Sequence, residues 1–118
     1  MIGLLSLGAK VNFYLPNRVK DGTYRWNGKT VIQHKQGTLV PIHGLVYNEP
    51  WVYSTPVVTD TGVSVTTSIA LTKQSALFEA YPFPCTLQVT YTLQSNGVTV
   101  TYSVINDGEQ ELPFGFAL

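Results

Sequence analysis

Thr86-Leu87-Gln88-Val89-Thr90-Tyr91-Thr92-Leu93-Gln94-Ser95-Asn96-Gly97-Val98-Thr99-Val100-Thr101-Tyr102-Ser103-Val104-Ile105-Asn106 decides the fold. Leu87, Val89, Tyr91 and Leu93 alternate with polar residues before Asn96-Gly97, and Val98, Val100, Tyr102 and Val104 alternate after it. A period of two is that of a strand with one apolar face, and Asn-Gly between two such runs marks a hairpin. With Asn96-Gly97 as a two-residue loop, Ser95 faces Val98, and counting outward pairs Leu93 with Val100, Tyr91 with Tyr102 and Val89 with Val104. The other face then pairs Thr92 with Thr101 and Thr90 with Ser103. A one-residue slip would exchange the two faces, so the apolar pattern and the pairing support each other.

The same pattern recurs on the N-terminal side. Thr23-Tyr24-Arg25-Trp26, Asn27-Gly28 and Lys29-Thr30-Val31-Ile32 form a shorter hairpin with Tyr24 opposite Val31. Val63, Val65, Ile69 and Leu71 alternate with Ser64, Thr66, Ser68 and Ala70, and Asp60-Thr61-Gly62 turns the chain back towards Val57-Val58. Only Gln74 to Ala80 suits a helical turn, which Tyr81-Pro82-Phe83-Pro84 ends by removing donors and fixing the backbone as extended. The expected fold is all-β, an antiparallel β-sandwich, with residues 1–118 as a single partial domain. Met1 to Leu7 reads as a strand, too short and too soon followed by Lys10 to cross a bilayer. Leu112-Pro113-Phe114-Gly115-Phe116-Ala117-Leu118 reads as the start of another buried strand whose partners are not in this sequence, which leaves open sheet edges that favour self-association.

Composition narrows the function classes. Seven Lys plus Arg balance seven Asp plus Glu, so there is no basic field for nucleic acid or an acidic membrane. Cys85 is the only cysteine, which rules out an internal disulfide and leaves the cytoplasm as the expected location. Two histidines and one cysteine without ligand spacing make no metal site. Glu49, Glu79, Glu109 and Glu111 are not spaced as an acid and base pair, and there is neither a phosphate-binding glycine loop nor a Gly-x-Ser-x-Gly elbow.

Polar groups beside glycine and proline are the candidate binding residues. Asn17-Arg18 lies in Pro16-Asn17-Arg18-Val19-Lys20-Asp21-Gly22, where an amide and a guanidinium fork suit adjacent sugar hydroxyls. The competing structural reading has Arg18 paired with Asp21 and Asn17 capping the turn. His43 stands between Ile42 and Gly44, where glycine permits an unusual dihedral; it is either a ligand-binding group or a satisfied structural histidine. His34, among Gln33, Lys35 and Gln36, reads as solvated. Trp26 and Trp51 are either core residues or flat faces for a sugar ring.

Pro16-Asn17-Arg18-Val19-Lys20-Asp21-Gly22-x-Tyr24, Asn27-Gly28-Lys29-Thr30, Ile42-His43-Gly44-Leu45-Val46, Pro50-Trp51, Tyr81-Pro82-Phe83-Pro84 and Leu112-Pro113-Phe114-Gly115 occur in an order that resembles the aldose 1-epimerase, or galactose mutarotase, family. The resemblance runs from about Leu15 to Leu118. It implies a large antiparallel supersandwich that binds a free hexose of the galactose or glucose class. It also implies that a glutamate takes the proton from the anomeric hydroxyl while a histidine protonates the ring oxygen, with no metal or organic cofactor. By position, Asn17 and Arg18 match the family's sugar-binding pair and His43 matches its substrate-holding histidine. The acid histidine, in a His-x-Tyr-Phe type motif after Pro-Phe-Gly, would fall at or beyond Leu118, and no glutamate matches the base. The expectation is therefore a fragment with part of the sugar site and no catalytic residue of its own. The alternative is a non-catalytic carbohydrate-binding or structural β-domain. A sugar phosphate substrate would call for further basic groups, for which Lys20 and Arg25 are too generic.

Overall fold

The computed structural model describes residues 12–14, 18–34, 44–46 and 49–117. Among them are nine strands and no α-helix: β1 (Asn12–Tyr14), β2 (Thr23–Trp26), β3 (Lys29–Ile32), β4 (Val52–Tyr53), β5 (Val57–Thr59), β6 (Gly62–Leu71), β7 (Cys85–Gln94), β8 (Gly97–Asn106) and β9 (Gly115–Ala117). All pairings are antiparallel, in agreement with the expected all-β class. The proposed Met1–Leu7 strand lies outside the described residues. Gln74–Ala80 forms tight turns rather than a helix, with Ser75 N–H bonded to Thr72 O and Phe78 N–H to Ser75 O. The chain divides into two compact units.

The first unit comprises Met1–Glu49, Glu79–Tyr81 and Pro113–Leu118. Its β2–β3 hairpin has the expected register, Tyr24 opposite Val31 and Trp26 opposite Lys29. Asn27 (φ 47°) and Gly28 (φ 76°) both take the left-handed backbone that a type I′ loop requires. The sequence reading of Leu112–Leu118 needs correction, because its strand does have a partner in this chain. β9 pairs with β1, Phe116 opposite Phe13 and Gly115 opposite Tyr14. About a hundred residues separate these strands, and no local pattern marks so distant a pairing. Phe13, Val31, Val46 and Tyr81 are buried apolar residues among those described in this unit.

The second unit, Pro50–Phe78 and Pro82–Leu112, holds a five-stranded sheet in the order β4-β6-β7-β8, with β5 also on β6. The turn expected at Asp60–Gly62 is present, with Thr59 opposite Gly62. A Cβ at Gly62 would collide with the Leu93 carbonyl oxygen, which accounts for glycine at the start of a strand paired on both sides.

The β7–β8 register differs from the expected one by two residues. Gln94 faces Gly97, Leu93 faces Val98, Tyr91 faces Val100 and Val89 faces Tyr102, so the loop is Ser95-Asn96. Because the shift is even, the apolar and hydroxyl faces keep their members. Neither Ser95 nor Asn96 has a positive φ, so the observed loop is not of type I′. The observed register sets buried Leu87 against Val104, whereas the expected one would have set it against Asn106. Apolar matching along the strand outweighs the local turn signal.

Cys85 is buried at the start of β7 beside Leu71 of β6. Burial, aided by the nearby Asp107 carboxylate, pushes its thiol from the ordinary 9.0 up to about 11. The folded chain therefore holds this proton in a range where the unfolded chain releases it, so the site's contribution to stability is complete below pH 9 and is lost as pH rises towards 11. Iodoacetamide at pH 8 should leave Cys85 unlabelled in the native chain and label it on unfolding, as read by mass spectrometry. Gly28→Ala, with open space around the added carbon, should cost about 1 kcal/mol through backbone strain alone. Gly62→Ala should cost clearly more in urea unfolding, because it meets backbone.

Candidate functional site

The candidate site is built from the turn that follows Arg18. Val19 leads into a single 3-10 turn, Lys20–Gly22, in which Asp21 (φ 56°) and Gly22 (φ 61°) are left-handed. Asp21 is a non-glycine residue in that region, a conformation to which aspartate is better suited than most side chains. Gly22 N–H donates to Val19 O (3.0 Å), and Gly22 O accepts from Gln33 N–H (2.8 Å). Gly22 is buried and so is Gln33, so the turn is anchored from within, at the far end of the β2–β3 hairpin.

On this base Arg18 is exposed. Among the described residues it forms no ion pair with Asp21 or with any other carboxylate, so the structural reading in which Asp21 neutralises it does not hold. Asn17 and His43 lie outside the described residues, and Arg18 is the one predicted binding residue for which a conformation can be given. The glycine after His43 does adopt the unusual dihedral that its neighbourhood suggested: Gly44 has φ 82° and is buried. The next residue, Leu45, donates its N–H to Phe13 O at 2.9 Å, which ties the segment after His43 to β1.

Phe13 is fully buried and organises this unit. Its ring meets the edge of Tyr81 at a centroid separation of 6.0 Å and an interplanar angle of 78°, and lies 6.1 Å from the ring of Phe114. Tyr81, also fully buried, donates its hydroxyl to Pro113 O at 2.8 Å. The Tyr-Pro-Phe-Pro and Leu-Pro-Phe-Gly stretches, far apart in sequence, are thus joined by one hydrogen bond and a shared aromatic contact. Trp26 and Trp51 are each half-buried.

His34 differs from its solvated reading. It is half-buried, and its Nδ1 is shielded from water with no hydrogen-bond partner. Its neighbour Gln33 is buried, so the chain turns inward past β3 although the local sequence is polar. Among the described residues no cluster of His, Cys, Asp or Glu could hold a metal ion. The Asp107 carboxylate accepts the Thr86 hydroxyl at 2.6 Å.

The family model for aldose 1-epimerase matches residues 6–118. The chain belongs to the aldose 1-epimerase family. A galactose mutarotase-like protein from Clostridium acetobutylicum has a similar structure, with a TM-score of 0.79 and 25% identity over 89% of this chain and 31% of that one. A protein from Synechocystis sp. PCC 6803 superposes with a TM-score of 0.73 at 21% identity, over 90% of this chain and 33% of its own. This member of the epimerase family thus spans about a third of the length of the solved proteins that it matches. The all-β antiparallel fold is that of galactose mutarotase-like proteins. Among the described residues no helix is long and apolar enough to cross a membrane.

Tyr81→Phe removes one donor and keeps the ring, so it should cost about 1 kcal/mol. Tyr81→Ala, which also opens a cavity beside Phe13, should cost about 3–5 kcal/mol in urea unfolding.

Proposed function

We propose that this chain supplies the sugar-holding part of an aldose 1-epimerase-like site for a free hexose of the galactose or glucose class. In this reading Asn17, Arg18 and His43 are the substrate-binding groups, and the 118 residues act as part of one larger β-sandwich domain. The observation that carries the reading is the exposure of Arg18, without an ion pair among the described residues, two residues before a turn that is hydrogen-bonded at Gly22. A planar fork on a fixed base can donate parallel hydrogen bonds to neighbouring hydroxyls at a small entropic cost. The Asn17-Arg18 and His43-Gly44 stretches both fall inside the family match, which supports the same reading.

The reaction follows from hexose chemistry. A carboxylate takes the proton of the anomeric hydroxyl while an imidazolium protonates the ring oxygen; the ring opens, the carbonyl carbon rotates, and closure gives the other anomer. The electron pairs return to their origin and no metal or organic cofactor is required. Positioned proton transfer of this kind is worth roughly 10²–10⁴-fold for each group. We assign neither proton-transfer group to these 118 residues, whose contribution is to hold and orient the sugar. The proposed setting is hexose metabolism in the cytoplasm, with which a lone cysteine is compatible.

The test is a titration of the chain with galactose and with glucose, followed by tryptophan fluorescence, together with polarimetry of mutarotation. Weak hexose binding is expected, and Arg18→Ala should weaken it at least tenfold, the loss of a charge-assisted hydrogen bond. Mutarotation should proceed at the spontaneous rate. Absence of binding, or binding indifferent to Arg18→Ala, would overturn the sugar-holding role, and acceleration by the chain alone would overturn the assignment of the proton-transfer pair elsewhere. Exchanging residues 6–118 for the matching segment of a full-length epimerase separates the alternative: restored mutarotation supports the enzyme reading, and binding without acceleration supports a non-catalytic carbohydrate-binding domain.

A further inference from the structure

Among the described residues, only Asp21 and Asn27 are non-glycine residues with a positive φ. Asn27 takes it to close the β2–β3 hairpin. Asp21 (φ 56°, ψ 15°) closes no hairpin and lies in the turn that precedes β2. Left-handed backbone is uncommon outside glycine, and such strain is kept where the surrounding structure holds a site in one shape.

Two overlapping turns share Asp21. In the first, Gly22 N–H donates to Val19 O at 3.0 Å, with Lys20 and Asp21 between them. In the second, Thr23 N–H donates to Lys20 O, with Asp21 and Gly22 between them, both at positive φ as a type I′ turn has them. Asp21 is thus the one residue central to both. Its own carbonyl accepts the Thr23 hydroxyl at 3.3 Å, and the Gly22 carbonyl accepts Gln33 N–H at 2.8 Å, which ties the pair of turns to the far end of the hairpin. The Asp21 carboxylate, in contrast, is exposed and forms no ion pair among the described residues. What the first turn holds is the residue next to Arg18: Val19 is extended (φ −85°, ψ 132°), and its carbonyl is the acceptor for Gly22.

We propose that Asp21 is the positioning residue for Arg18, given the reading of Arg18 as a sugar-holding group. Its left-handed backbone, rather than its carboxylate, holds the Val19 carbonyl and so sets the direction from which the Arg18 side chain leaves the chain. Aspartate, asparagine and glycine accept this backbone, whereas a β-branched residue resists it. Because Asp21 is exposed, substitutions there change the backbone preference without entering the interior.

Amide hydrogen exchange reads the turn without any sugar. Asp21→Val should speed exchange at Gly22, while Asp21→Asn and Asp21→Gly should leave it protected. In titrations with galactose and with glucose, Asp21→Val should weaken binding about fivefold. Asp21→Asn should leave the affinity unchanged, since the hexose is neutral and the backbone is kept. In an Arg18→Ala background Asp21→Val should add nothing, because positioning acts through that side chain, whereas general loosening of the fold would add a loss of its own. Asp21→Ala gives the same order of effects with a smaller penalty if Asp21→Val does not fold. Unchanged exchange at Gly22 in a folded Asp21→Val, a loss with Asp21→Asn equal to that with Asp21→Val, or a full further loss in the Arg18→Ala background would overturn the proposal. An affinity lost with Arg18→Ala and kept with Asp21→Val overturns the positioning alone. Hexose binding that is absent, or indifferent to Arg18→Ala, overturns the role of Arg18 and with it that of Asp21, whatever the exchange at Gly22.

Discussion

The first unit depends on the contacts of one buried ring. Phe13 packs against the rings of Tyr81 and Phe114, and the Tyr81 hydroxyl reaches the Pro113 carbonyl. Three separate parts of the chain meet there: β1, Tyr81 at the start of the Tyr-Pro-Phe-Pro stretch, and the segment leading into β9. A two-strand pairing of three residues is too short to persist on its own hydrogen bonds, so the aromatic cluster makes β1–β9 worth forming. The same Phe13 then offers its carbonyl to Leu45, and through it the residues after His43 are held to the sheet.

How much of this was legible in the sequence depended on how local the deciding interaction was. Asn27-Gly28 was read correctly because the loop, the alternation and the pairing all lie within ten residues and agree. At Asn96-Gly97 two local signals competed. The loop residues argued for one register and the apolar partners along β7 and β8 for another, and the longer run of contacts prevailed. The partner of β9 was invisible because it lies at the opposite end of the chain. His34 was misread because its sequence neighbours are polar, a pattern that carries no sign of its shielded Nδ1.

For the candidate site, chemistry was more legible than conformation. The need for glycine after His43 could be argued from steric reasoning, and Gly44 does adopt a left-handed φ. The free state of Arg18 could not be argued in that way, because Asp21 three residues on is a natural partner by spacing. Asp21 is left-handed in a 3-10 turn, a backbone that a spacing rule does not anticipate, and among the described residues it forms no ion pair with Arg18.

The second unit carries the same lesson into energetics. Along β7, Cys85, Leu87 and Val89 are buried, whereas Tyr91 and Leu93, on the same face and in the same alternation, are exposed. A period of two specifies which side chains share a face, and it does so without error here. It does not specify what lies against that face, because burial is a property of two surfaces and a strand pattern describes one. Burial of apolar surface contributes about 25 cal/mol per Å² only once water has been displaced, so the exposed half of the ladder contributes pairing but little hydrophobic free energy. The sheet is accordingly most stable at the Cys85 end and least stable around the Ser95-Asn96 loop, where opening of β8 from β7 exposes little that is not already exposed.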